Sequence, residues 1–157
     1  MVICAKKSLF LRGLATFAIP EQYLGVCTMI EGFDHAAIPM GQVDDMLRFY
    51  RGLGTDVREE VPGILFSAYL GANKINLHLP AAWQSSEFTL RGPTATPGCG
   101  DFCFVWKGSE DDLMRLLANV RAEIEEGPVP RRGGRDSMGT SIYVRDPDRN
   151  LLEFIRY

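Results

Sequence analysis

Near the C-terminus a carboxylate stands where a purely structural strand has little use for one. Residues Ser141 to Tyr157 read as two short strands folded back across a turn made by Asp146, Pro147, Asp148 and Asn150. Proline fixes φ there, and Asp and Asn bond their own backbone. In the second strand, alternation puts Leu152, Phe154 and Arg156 on one face and Leu151, Glu153 and Ile155 on the other. Glu153 is therefore an acid flanked on its own face by two aliphatic side chains. That suits a carboxylate aimed into a pocket, and equally an exposed acid on a solvated face; this stretch alone supports both. Thiol chemistry finds less support. Cys4, Cys27, Cys99 and Cys103 are scattered, and only the last two are close, without CxxC spacing or a second pair. Cys103 lies in an apolar run and reads as a small packing hydrophobe. Scattered thiols fit a reducing cytoplasm.

The elements that must position such residues follow from periodicity. The chain has 157 residues, 46% of them hydrophobic, enough for one compact domain or two small fused modules. A net charge of −3 with interspersed signs offers no basic field for nucleic acid. No apolar run approaches the roughly 20 residues of a membrane span. Residues 1–29 read as an N-terminal extension outside the core fold. Lys6, Lys7 and Arg12 are its only charges before Glu21. A weak presequence, an appended helix and a natural start at Met29 all remain open.

From Phe33 to Pro39 the pattern predicts a strand. Asp44 and Asp45 then supply acids at a helix start, and Met46, Phe49, Tyr50 and Leu53 give an amphipathic stripe stopped by Gly54. Val57–Val61, Ile64–Leu70 and Lys74–Leu79 read as three strands with Pro-Gly and Gly-Ala-Asn turns between them. Ala81 to Gly100 is rich in Pro, Gly, Ser and Thr and reads as a linker or mobile loop, with Trp83, Phe88 and Leu90 packing it across something. The pattern then repeats. Asp101–Trp106 is a strand, and Asp111 and Asp112 open a helix with Leu113, Leu116, Leu117 and Val120 on one face. Glu123–Glu126 is a short strand, Gly127–Gly139 a loop, and the C-terminal hairpin closes the set. Asp-Asp-Met-Leu-Arg at 44–48 and Asp-Asp-Leu-Met-Arg at 111–115 are nearly the same words. Matching order in every element implies an internal duplication, β-α-β-β-β twice over.

Two such modules, with Asp-Pro-Asp-x-Asn-Leu-Leu-Glu in the closing strand, resemble the vicinal oxygen chelate (glyoxalase, bleomycin-resistance and ring-cleaving dioxygenase) superfamily. The resemblance spans about Ile30 to Tyr157. In Asn76-Leu77-His78, Gly127-Pro-Val-Pro-Arg-Arg-Gly and Ser141–Tyr157 it is similar to the glyoxalase domain-containing protein 5 subgroup. It implies an α+β fold: tandem modules 30–80 and 100–157 within a domain 30–157, forming a curved half-barrel sheet around one pocket. It also implies a divalent metal (Zn, Ni, Mn, Fe or Mg) on the first and last strands of each module.

Position by position, the resemblance makes His35 and Glu153 metal ligands. Asn76 stands where glyoxalase I-type members carry a glutamate that is both ligand and base. An amide accepts no proton at neutral pH, so that route is in doubt. His78, two residues on and on the same side, is expected to ligate in its place or to act as the base. Asp101 aligns with a histidine position, with one residue of slack against Asp34. The implied set is then His35, His78, Asp101 and Glu153, with Glu153 and His78 also catalytic. Asn76, Arg131 and Arg132 are expected to contact substrate, the arginines from a mobile cover formed by Gly127–Gly139. The expected activity is that of a metal-dependent lyase or isomerase chelating a small, oxygen-rich, anionic molecule. Metal-free small-molecule binding and extradiol-type ring cleavage are the alternatives. A homodimer is the expected assembly, with neither nucleic acid nor membrane as partner.

Overall fold

The computed structural model describes residues 30–157. Strand β1 (His35–Pro39) leads into helix α1 (Val43–Gly52), followed by β2 (Asp56–Val61), β3 (Leu65–Leu70) and β4 (Asn73–His78). After a short helix α2 (Pro80–Trp83) come β5 (Asp101–Val105), α3 (Glu110–Asn119), β6 (Ile124–Arg132), β7 (Met138–Arg145) and β8 (Leu151–Arg156). The first module forms a four-stranded sheet in the order β1-β4-β3-β2, and the second repeats it as β5-β8-β7-β6. In each, the first strand runs parallel to the last and the remaining pairings are antiparallel. The fold is α+β, with two tandem βαβββ modules. No helix among the described residues is long and apolar enough to cross a membrane.

Side-chain period explains which face of each sheet is covered. Ile38, Ala68, Ile75 and Leu77 alternate onto one face of the first sheet, and Ile142, Val144, Leu152 and Phe154 onto one face of the second. Both faces join a single core with Met46, Leu47, Phe49 and Tyr50 of α1 and Leu113 and Leu117 of α3. The helix stripes are those expected at i, i+3, i+4 spacing. Helix α3 opens on a capping box: Ser109 Oγ accepts from the Asp112 amide, and the Asp112 carboxylate accepts from the Ser109 amide, both at 3.1 Å. The other face of each sheet points away from α1 and α3, and in the first module Trp83 of α2 adjoins Ala37, Pro39 and His78 there.

The turn before β8 ties the modules together. Asp148 accepts hydrogen bonds from the amides of Gly41 and Gln42 at 2.7 and 2.8 Å, just ahead of α1. Asp146, buried, accepts from Tyr50 of α1 at 3.1 Å and from Asn150 N and Nδ2 at 2.9 and 2.8 Å. Asn150 Oδ1 in turn accepts from the Gly100 amide at 2.7 Å, fixing the start of β5. Arg149 takes φ 75°, the left-handed conformation that glycine adopts more cheaply.

Three expectations need correction. Gly127–Gly139 is not a loop: β6 runs through Arg132, and only its tip turns. Prolines are tolerated there because β6 is the outer strand of its sheet, with register shifts between Ile124 and Val129. The 81–100 segment is not a uniform linker, since it starts with α2 and is pinned by Trp83 Nε1 donating to Met40 O at 2.9 Å. Cys103 does not pack as a core hydrophobe. Phe102 and Phe104 take the core face, and Cys103 alternates outward and is exposed. The 1–29 extension lies outside the described residues.

Candidate metal and substrate site

Strand register places the candidate residues on the faces away from α1 and α3. In the first module His35 pairs with Lys74, Ala37 with Asn76 and Pro39 with His78. In the second, Asp101 pairs with Leu151, Cys103 with Glu153 and Val105 with Ile155. Taking Asn76 and Glu153 as equivalent, the residue two places before each one's partner is His35 in one module and Asp101 in the other. The ladders thus equate Asp101 with His35, and not with Asp34. Each module presents a diagonal pair on its open face: His35 with Asn76, Asp101 with Glu153.

Glu153 is held by its neighbours. Ser141 Oγ donates to Glu153 Oε1 at 2.5 Å. Tyr143 lies directly across the β7–β8 ladder and Cys103 across the β5–β8 ladder. The Cys103 thiol is pushed up to about 12, first by partial burial and then by hydrogen bonding to Glu153 and its charge. It therefore stays protonated and acts as a donor beside the carboxylate. Burial also raises the Tyr143 phenol, with Glu153 adding to the rise and Arg131 opposing it. The Arg131 guanidinium lies 5.5 Å over the Tyr143 ring and donates to Glu126 at 2.8 Å, so Arg131 belongs to this neighbourhood. Arg132 does not: it bonds Asp136 at 2.9 Å within the hairpin tip. Ser141 and Tyr143 were not singled out from sequence, and Cys103 only as a packing hydrophobe, although the Asp146–Asn150 turn fixes the pairing that sets Tyr143 opposite Glu153.

On the first module, His35 is exposed and its Nδ1 lies 2.5 Å from Asp34 Oδ1. A carboxylate only accepts, so in the neutral imidazole this contact puts the proton on Nδ1 and the lone pair on Nε2. Metal-binding histidines are oriented by just such a carboxylate partner. Asn76 Oδ1 accepts from Ser67 Oγ at 2.8 Å, leaving its NH₂ to donate across the open face. His78 is half-buried, edge-on to Phe88 at 5.0 Å, and burial lowers its pKa, so the imidazole is neutral at pH 7. It sits four residues further along β4 than the partner of His35, about 13 Å at the rise of a strand. His35 and His78 are therefore not brought together. Among the described residues, no group of three or more His, Cys, Asp or Glu lies close enough to hold a metal within one chain.

Residues 32–154 match the Glyoxalase/Bleomycin resistance protein/Dioxygenase superfamily. The virulence protein STM3117 of Salmonella typhimurium is 32% identical over 82% of this chain and 86% of its own length. Its crystal structure superposes with a TM-score of 0.72 at 33% identity, covering 83% of this chain and 98% of that one. The glyoxalase domain-containing protein RDO1 of Mycosarcoma maydis is 35% identical, over 82% of this chain and 69% of that protein. A lactoylglutathione lyase from Agrobacterium tumefaciens shares the fold at 22% identity, with a TM-score of 0.60 over 80% of this chain and 93% of that one. The chain belongs to the glyoxalase, bleomycin-resistance and dioxygenase superfamily.

Proposed function

We propose that this chain is a glyoxalase-like, metal-dependent enzyme of lyase or isomerase type. Its substrate is a small, oxygen-rich anionic molecule, and a second copy of the chain completes its site. The observation that carries the reading is the matched pair of open faces, His35 with Asn76 on one and Asp101 with Glu153 on the other. Members of this superfamily commonly use divalent metals. The donors fit such an ion: a histidine with its Nε2 lone pair free, and two carboxylates, form a mixed N/O set suited to Zn, Ni, Mn, Fe(II) or Mg. His35, Asp101 and Glu153 would hold it, and when bound it would stabilise negative charge developing on substrate oxygen.

This chain's own groups do the rest. The Asn76 amide donates to a substrate oxygen, a role open to it once Ser67 occupies its carbonyl. His78, neutral at pH 7, accepts a proton from substrate lying along β4, which Asn76 cannot do. Arg131, packed on Tyr143 beside Glu153, attracts the anion. Because no three such donors gather within one chain among the described residues, the reading includes a homodimer that faces the first module of one copy with the second module of the other. The sequence likeness at Asn76-Leu77-His78 and Ser141–Tyr157 supports placement near the glyoxalase domain-containing protein 5 subgroup. The protein is read as cytoplasmic, and residues 1–29 as an extension outside the catalytic domain.

Metal content of purified protein tests this reading. The wild type is expected to carry near-stoichiometric divalent metal, and His35→Ala and Glu153→Ala to lose it. Metal unchanged in both variants would sink the proposal. A wild type that binds its ligand equally well in chelator would establish the metal-free binding alternative instead.

A further inference from the structure

A second polar feature sits on the first module, apart from the carboxylates and histidine assigned to metal. Where the segment after α2 crosses the open face of the sheet, a small cavity of about 50 Å³ is lined by Ala37, Pro39, His78, Trp83, Leu90 and Arg91, among others. Arg91 borders this cavity, and its Nε is buried without a hydrogen-bond partner. A buried guanidinium N–H left unpaired is costly, and proteins seldom keep one without an occupant to satisfy it. No carboxylate lines the cavity, so nothing in the wall neutralises the cation. Trp83 does not compete for the space, because its Nε1 is committed to Met40 O at 2.9 Å.

Size narrows the occupant. One water needs roughly 10–15 Å³ by this kind of measure, so the cavity has room for a few heavy atoms. A carboxylate group fits, and it also matches the planar donor fork of arginine. His78 forms the wall shared with a larger neighbouring cavity of about 360 Å³, where Val61, Ile64, Leu65 and Phe88 supply an apolar lining. Val61 and Ile64 are 45% and 40% exposed, an apolar surface left open to a ligand.

We propose that Arg91 and His78 form a binding subsite for the carboxylate of a small organic acid, whose short apolar part lies against Phe88, Leu65 and Ile64. The subsite needs no metal, so its fate is separable from that of the proposed metal site. It also accounts for the path of the segment after α2, which delivers a cation to the face that carries His78.

The chain has only two histidines, and its two tryptophans are Trp83 and Trp106, so each is a resolvable NMR probe. Acetate and isovalerate are titrated into metal-free protein at constant chloride-balanced ionic strength. Saturable shifts are expected at His78 and Trp83 but not at His35 and Trp106, with isovalerate binding several-fold tighter than acetate. Arg91→Gln should weaken both acids at least tenfold, while Arg91→Lys should retain part of the affinity. Neither variant should lower Tm, because a donor that is unpaired without ligand is being removed. Absence of saturable shifts, equal shifts at all four probes, or affinity unchanged in Arg91→Gln would overturn the subsite. Equal affinities for the two acids would overturn its apolar part.

Discussion

Glu153 sits among three groups that can donate to it, Ser141, Tyr143 and Cys103, and this sets the behaviour of the thiol as much as that of the acid. With its pKa near 12, Cys103 should resist alkylation at pH 8 although it is exposed, while the free exposed thiol of Cys99 reacts. Glu153→Gln removes the negative charge that disfavours the thiolate, so Cys103 should then label faster, by several-fold. Peptide mapping after timed iodoacetamide exposure reads both sites. Equal labelling of Cys99 and Cys103 in the wild type, or no acceleration in Glu153→Gln, would contradict the contact. The face that Glu153 occupies was legible from alternation, while His35 and Glu153 were singled out as ligands through the repeat and the family resemblance. Cys103 was not: in Phe102-Cys103-Phe104-Val105 both faces read as apolar, so no period distinguishes core from open side. The pairing of His35 with Asp34 was equally hidden, because a sequence shows adjacency but not a rotamer.

Among the elements, the turn between β7 and β8 bonds both to the entry of α1 and to Tyr50 within it. Two charged-acceptor hydrogen bonds link Asp148 to the entry of α1, so Asp148→Ala should cost about 3 kcal/mol. In urea unfolding the midpoint should fall with the slope unchanged. A loss within about 0.5 kcal/mol would show that water replaces the carboxylate at no cost. Asp146 gives a pH signature. Burial raises its carboxyl above the ordinary Asp value against the hydrogen bonds from Asn150 and Tyr50, and the charge of Asp148 adds to the rise. The folded state therefore keeps a proton that the unfolded chain has released, and this group's contribution to stability falls as pH climbs. The stability gap between wild type and Asp146→Asn should narrow as pH rises from about 4, the ordinary Asp value. A flat or widening gap would contradict the assignment. This turn was visible in the sequence as a turn. Its partners were not, because hydrogen bonds to residues 41, 42 and 50 lie about a hundred positions away in the chain. The continuation of β6 beyond Glu126 was missed for a different reason: its prolines are breakers in a central strand and harmless at an edge.

At the scale of the whole molecule, duplication explains most of what could be read in advance. Two nearly identical helix openings, at 44–48 and 111–115, announced two modules, and the sheets repeat one strand order. Both sheets spend the faces against α1 and α3 on one common core, which leaves His35 exposed and Glu153 part-buried on the opposite faces. The central claim is that these two residues meet across a dimer. The direct measurement is metal content of a mixed dimer, in which differently tagged His35→Ala and Glu153→Ala chains are co-expressed and isolated together. One of its two sites then combines His35 and Glu153 intact, and the other lacks both. The account predicts about one metal per mixed dimer, against two for the wild type and almost none for either variant alone. A mixed dimer as empty as the single variants, or single variants that keep their metal, would contradict it.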